Sequence, residues 1–431
     1  MRLWIYGLAV LSALVVTGGC RGSIDLEDAG QDAGTQADGQ DGYDAGSDSA
    51  GDGGQDGGQD GGQDGGQDAS DQSGDLQPDG GDDCTPDCAG KQCGANGCGG
   101  VCGQCSGSAI CVDFQCQEPG PCDNITCDDL EWCKDGICRC QSGWLRQADE
   151  CVPFVPSAFE DRSPQSVCDK WNTDYPSLAA WFWEEGPQTC DNGVMNPESI
   201  DDAIRRINLF RWLVDLYPVY NKRSSNVYAQ PCAVMMNVNG DLDHTPPIDW
   251  ECYSSEGASG AGHSNLAMGP RDPASAIDLY IGDNRVPSLG HRRWIFDPPY
   301  LPTGIGQSDH WNCTYVMTGG NSYAPAWLAY PPPGPCPRTA ILGVWSLGAR
   351  GFDQDTVLVT VTDLTTSEEQ LPNFYFPSGG YGSLSYLAFS MSGVTAGHDY
   401  EVIIDGVKLG GYNDPPETIS YTVQVVDCSD Y

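Results

Sequence analysis

Apolar residues first recur at helical spacing at Ile200, Ala203, Ile204, Ile207, Phe210, Leu213 and Val214, the pattern that turns one stripe of a helix towards a core. Ser199-Ile-Asp-Asp202 ahead of them has the acidic form of a capping box, and Pro218 stops the helix beyond them. A second helical stretch surrounds Tyr228-Ala-Gln-Pro-Cys-Ala-Val-Met-Met236, where Pro231 limits how regular it can be. After the stiff run Tyr330-Pro-Pro-Pro-Gly-Pro335 the period becomes two. Val357, Val359 and Val361 then share a face, as do Tyr400, Val402 and Ile404, and Tyr421, Val423 and Val425. The pattern predicts a helix-containing domain over residues 160–336 and a small antiparallel β-sandwich over 337–431.

Upstream there is no such periodicity. Residues 1–20 carry Arg2, a short apolar run and Thr17-Gly18-Gly19-Cys20, which reads as an export signal. The ending resembles a bacterial lipobox, in which Cys20 becomes the lipid-modified first residue. Thr17 departs from the usual leucine and leaves an ordinary cleaved signal peptide as the alternative. Residues 21–83 hold a GGQD repeat, many aspartates and almost nothing apolar. They cannot bury enough surface to offset ordering entropy, so a disordered stalk is expected, with a root-mean-square reach of about 45 Å. A calcium-binding repeat is disfavoured by the spacing of four. The net charge of −41 argues against nucleic acid as a partner.

Fourteen of the 22 cysteines lie between Cys84 and Cys151, a density that implies disulfides and an oxidising compartment. The first group, residues 84–116, contains CTPDCAGKQCGANGCGGVCGQC and resembles a short module of myxobacterial surface proteins. Zinc is the rival reading, through the C-x-x-C spacing of Cys102 and Cys105. The second, residues 117–152, has C-x-C followed by Gly143-Trp144 and resembles an epidermal-growth-factor-like module. That resemblance implies the pairs Cys122–Cys133, Cys127–Cys138 and Cys140–Cys151, and the role of a spacer or a protein-contact surface. Glu118 is the one acidic residue in the stretch before Cys122, which makes a calcium site in it doubtful.

Between residues 198 and 330 a series of short motifs keeps a fixed order: Asn208-x-x-Arg211, Ala229-Gln230 to Ala233, Asp241-Leu-Asp-His244, Ser264-Asn-Leu-Ala267, Gly290-His-Arg292 and Thr303-Gly-Ile-Gly306. This succession resembles the CAP superfamily of secreted proteins. The resemblance implies a three-layer α-β-α sandwich, hence an α+β fold, with a cleft of two histidines and two acids. His244 and His291 match the histidines and Asp283, three residues after Tyr280, matches one acid. Ser264 stands before Asn265 where the family usually has glutamate, a substitution that removes a charge. Two neutral imidazoles and a carboxylate can hold a divalent cation such as zinc weakly, so His244, His291 and Asp283 are the candidate ligands. His263 is a candidate to fill the missing acid's place. The alternative is that these histidines are hydrogen-bonded residues that hold loops together.

The stretch GASGAGHSNLAMG, residues 257–269, first suggests a nucleophile loop, but it misses the last glycine of G-x-S-x-G. A serine also needs a base on its hydroxyl, which adjacency of His263 and Ser264 does not supply. Binding at a cleft of His244, His291, Asp283, Ser264 and Asn265 therefore ranks ahead of hydrolysis through His244 and His291. Ahead of the first helix, Trp171, Trp181, Phe182 and Trp183 read as a cover over the core or as a ligand surface. Of the seven cysteines beyond Cys151 at least one must lack a partner there; Cys232–Cys252 and Cys313–Cys336 are the expected local pairs. The β-sandwich, of the immunoglobulin-like sort, is expected to pack on the central domain or contact a partner, with Tyr375, Tyr381 and Tyr386 as carbohydrate-binding candidates.

The chain thus reads as a multidomain, exported cell-envelope protein, lipid-anchored at the outer membrane or cell surface, or else secreted. Its expected partners are the membrane through Cys20 and an extracellular protein, lipid or glycan. Cys20→Ser should move the protein from the membrane to the soluble fraction, since the acyl chains supply the anchoring energy; a protein that still sediments with membranes overturns the anchor.

Overall fold

The computed structural model describes residues 85–431 apart from 95, 97–99, 108, 113, 123–124, 154–161, 321–324 and 412. The expected signal peptide, Cys20, the stalk, Cys84 and Cys98 lie outside the described residues. Those described form a disulfide-rich region and then mixed α/β structure with mostly antiparallel sheets. None of their helices is long and apolar enough to cross a membrane.

The first module pairs Cys88–Cys102, Cys93–Cys111 and Cys105–Cys116, so Cys102 and Cys105 are not zinc thiolates. The second has the three expected pairs, Cys122–Cys133, Cys127–Cys138 and Cys140–Cys151. It is docked on the segment Pro218–Asn221 of the helical region rather than held apart as a spacer. The Gln141 amide donates to Asn221 O at 2.9 Å and accepts from Asn221 N at 2.6 Å, as a neighbouring strand would. Trp144 Nε1 donates to Val219 O at 3.1 Å, and its ring meets Tyr220 edge-on. Gly143 is required between them: at φ 83° a Cβ would come within 2.7 Å of Pro218.

Six helices follow: α1 (Pro164–Asp174), α2 (Pro197–Leu213), α3 (Arg223–Asn239), α4 (Ser255–His263), α5 (Pro273–Gly282) and α6 (Gly290–Ile295). Helix α2 carries the expected apolar stripe, but it starts earlier than the capping-box reading placed it. Asn196 is its N-cap and Pro197 opens it. Asp202, freed from capping, accepts from the amides of Leu178 and Ala179 and so fixes the aromatic segment before the helix. Of that segment, Trp171 is buried against Phe210 and Tyr175, whereas Trp181 is exposed. Helix α3 runs 17 residues straight through Pro231. The carbonyl that loses its donor belongs to Val227, whose residue is exposed to solvent.

Strands Ser264–Met268, Trp311–Tyr315, Pro302–Ser308 and Tyr220–Asn221 form one sheet in that order. Helices line both of its faces. Leu266 and Cys313 pack with Cys232, Met235 and Met236 of α3 and Ala261 of α4, while Ala267 and Ile305 join the larger core with α2 and α5. Glycine makes the α3 side possible. A Cβ at Gly260 would lie 2.1 Å from Tyr228 O, and one at Gly306 2.1 Å from Ala229 O. The glycine-rich run 257–262 is therefore helix, with Gly260 spaced for backbone contact, rather than a sharply turning loop.

Two further sheets complete the chain. One has the order Trp327–Tyr330, Trp345–Ala349, Ser385–Phe389, Phe374–Tyr375; the other contains Gly334–Pro337, Glu417–Val426, Asp399–Lys408, Leu358–Asp363 and Glu368–Gln370. The period-two faces appear as expected, with Val359, Val361, Tyr400, Val402, Ile404, Val423 and Val425 almost fully buried. Two expectations are corrected. The proline run is no linker: Trp327–Tyr330 and Gly334–Pro337 already belong to these sheets, and Pro331 and Pro332 are buried where the chain crosses from one to the other. Nor is pairing wholly antiparallel, because Gly334–Pro337 runs parallel to Glu417–Val426. One apolar core spans Ile277 and Phe296 on one side of residue 337 and Leu347, Phe389 and Val402 on the other, so the two regions fold as one body.

The later cysteines pair as Cys168–Cys428, Cys190–Cys252 and Cys232–Cys313. Cys232–Cys252 and Cys313–Cys336 do not form, because Cys313 faces α3 across the sheet while Cys336 is a free, buried thiol in a different sheet. Burial pushes that thiol's pKa far up, so it stays protonated and unreactive. Cys168–Cys428 ties α1 to the last turn across 260 residues. Its removal as Cys168→Ala/Cys428→Ala should cost about 2–4 kcal/mol in reversible denaturation; an unchanged midpoint would show that the link carries no stability.

Candidate functional site

The histidine and acid expected near Tyr280 are brought together. Asp283 ends α5 in the left-handed region, φ 47°, which turns its carboxylate back towards α6. Its Oδ1 lies 2.7 Å from His291 Nδ1, and its Oδ2 accepts from the backbone amide of Arg292 at 3.1 Å. The carboxylate is fully buried, whereas the imidazole is 25% exposed. A carboxylate only accepts, so the neutral ring carries its proton on Nδ1 and presents an open Nε2.

Around the pair, Tyr280 lies with its ring 5.3 Å from that of His291 and its hydroxyl 2.8 Å from Asn312 Oδ1. Asn265 Nδ2 donates to His291 O at 3.1 Å. The Ser-Asn-Leu-Ala strand therefore positions α6 through Asn265. Arg292, wholly buried, holds the other side: Nε donates to Ile281 O at 2.7 Å, Nη1 to Val344 O at 2.7 Å and Ser346 Oγ at 3.2 Å, and Nη2 to Leu342 O at 3.0 Å. It also stacks on Tyr330. Arg293 reaches Ser378 O and Gly379 O, and Asp297 accepts from Ser383. Three residues within one turn of α6 or just beyond it thus bind the C-terminal region, at Leu342, Val344, Ser378, Gly379 and Ser383. Arg211 of the Asn-x-x-Arg motif is a second such clamp, donating to the carbonyls of Tyr217, Ile295, Asp297 and Tyr300. Burial lowers its pKa to about 10, so it remains charged at neutral pH.

The other half of the expected cleft is different. His244 is exposed, with Nδ1 2.8 Å from Ala261 O, and His263 turns back to Ser259 O at 2.7 Å. His263 stacks on Tyr315 and so does not replace the missing acid by pairing with His291. Ser264 is buried, 2% exposed, and its hydroxyl has no hydrogen-bond partner. No base therefore activates it. His244, His291 and Asp283 are not among the clustered sets of three potential ligand atoms. Among the described residues, the groups of three potential ligands within 4.8 Å are Cys93, Cys105, Cys116 and Cys127, Glu131, Cys138. All these cysteines are oxidised, and both Asp283 oxygens are already bonded.

Sequence reasoning missed the part contributed by the C-terminal sheets. Tyr375 and Met391 border the same cavity as Asp283 and Arg285. Nothing in local spacing connects them, because the approach is made by Arg292 reaching carbonyls some fifty residues later. Compared with protein-family models, with curated proteins and with solved structures, the chain matches none.

The Asp283 contact makes a measurable demand on His291. Nitrogen-15 NMR of the neutral ring should show the proton on Nδ1, and Asp283→Asn should shift it towards Nε2, because an amide can donate to Nδ1. A ring with the same tautomer in both proteins would mean that Asp283 does not set it.

Proposed function

We propose that the chain is an exported cell-envelope protein, anchored through Cys20, whose central CAP-like domain binds an extracellular protein, lipid or envelope component. In this reading the second module is epidermal-growth-factor-like, the helices and sheet of the central region are the α-β-α sandwich of that superfamily, and the C-terminal sheets are an immunoglobulin-like support. The density of disulfides favours an extracellular setting.

The observation that carries binding over hydrolysis is the pairing at the cleft. His291 is oriented by Asp283 with Nε2 open, as in a catalytic dyad, yet the buried Ser264 hydroxyl has no partner at all. A nucleophile needs a base within hydrogen-bonding reach. An oriented imidazole without one serves recognition: it offers an acceptor when neutral and a donor when protonated. A hydrolase acting through His244 and His291 is the alternative.

A panel of peptides and esters separates the two. The mature protein and His244→Ala/His291→Ala should show the same background turnover, while saturable retention on isolated envelopes should weaken in the variant by about tenfold or more, the value of a lost hydrogen bond to a charged or oriented group. Turnover that disappears in the double variant would establish the hydrolase instead.

A further inference from the structure

The seam between the loop after α5 and the C-terminal sheets holds a cavity of about 490 Å³, within the range that accommodates a small organic molecule. Its floor and walls combine two chain regions: the loop after α5, with Arg285, Val286 and Pro287, and the sandwich, with Val344, Tyr375 and Met391. The loop is held in a defined shape. Asp283, Arg285 and Leu289 all have left-handed backbone, φ 47°, 69° and 49°, and Arg292 pins the chain on either side of it. Conformations of this kind persist only where the surroundings enforce them.

The polar groups facing this space are unequal in kind. Arg285, Tyr375 and Ser390 border it, and among the described residues none of their side chains has a hydrogen bond or ion pair. Asp283, the acid that borders the cavity, does not pair with Arg285, because its carboxylate is buried and bonded to His291 and the Arg292 amide. What remains is an unpaired guanidinium, the Asn284 amide, two hydroxyls able to donate, and apolar walls, in a protein whose net charge is −41. An unpaired cation kept in so acidic a chain, beside apolar surface, is complementary to an anion with a greasy body. Guanidinium prefers planar, bidentate acceptors.

We propose that this seam is a binding site for an organic carboxylate with an apolar body, its charge taken by Arg285, its oxygen also met by Tyr375, and its body lying against Val286, Val344 and Met391. The same chemistry is offered by a free small acid and by the C-terminus of a peptide. The site adjoins the Asp283–His291 pair, since Asp283 borders it, but its binding groups are others and it does not depend on the reading of that cleft.

Calorimetry or ligand-observed NMR on the mature protein, with 3-phenylpropionate, 3-phenyl-1-propanol and 3-phenylpropylamine as probes, tests it. The acid should bind saturably and the alcohol and amine at least about tenfold more weakly. Arg285→Gln should lose about tenfold or more in acid affinity, with Arg285→Lys keeping part of it, and an unchanged melting temperature shows that the variants are folded. N-acetyl-Leu-Phe as free acid against its amide distinguishes the sources: tighter binding of the peptide acid than of 3-phenylpropionate assigns a peptide C-terminus, and the reverse assigns a small acid. Equal binding of acid and alcohol, full affinity in folded Arg285→Gln, or no saturable binding of either acid up to about 10 mM overturns the proposal.

Discussion

A buried guanidinium held by carbonyls rather than by a direct salt bridge is the constraint on which the rest of this molecule depends. Arg292 is wholly enclosed, and what keeps its charge tolerable is a ring of carbonyls drawn from two regions: Ile281 and Gly282 at the end of α5, and Leu342 and Val344 at the entry to the sandwich. Each carbonyl left without its donor would cost about 1–3 kcal/mol, and the charge left without its carbonyls more. The arrangement is therefore strongly interdependent. The carbonyls can converge only if α5, α6 and the sandwich are all in place, and once they do, His291, one residue before Arg292, has a fixed position against Asp283. Gly343 shows how tight this is, since a Cβ there would lie 2.3 Å from Gly282 O.

The same logic explains which parts were legible in the sequence. Periodicity exposed the stripe of α2 and the alternating faces at Val359, Tyr400 and Val423, because burial of a face is a local property of spacing. The module pairs at Cys122, Cys127 and Cys140 came from a resemblance and are present as implied. Partners set by tertiary path were not legible. Cys232 meets Cys313 because α3 crosses the sheet, and Cys168 meets Cys428 because the chain returns to α1 at its end. The proline run looked like a boundary because stiffness and exposure usually go together, yet here Pro331 and Pro332 are buried where the chain passes from one C-terminal sheet to the other.

At the site the division is finer. Asp283 and His291 do pair, and Tyr280 and Asn265 are close by, so half of the expected constellation exists in space. His244 and Ser264 do not complete it, and the reason is visible in α4. Its glycines let it lie against α3 with the backbones touching, and His244 and His263 each turn one ring nitrogen, Nδ1, to a carbonyl of α4 rather than to Asp283 or His291. The loop 283–289 and the sandwich residue Tyr375 had no sequence signal tying them to the cleft, because buried arginine-to-carbonyl contacts leave no pattern of charges to read.

The link between Cys168 and Cys428 has a further consequence. Covalently, almost the whole body from α1 to the last turn is a closed ring. A single cut by a protease in any surface loop of that ring opens it without releasing a fragment, and the second ring through Cys190 and Cys252 does the same for the long exposed segment that carries His244. Damage to the backbone within either ring would leave every piece of the site still attached to the rest.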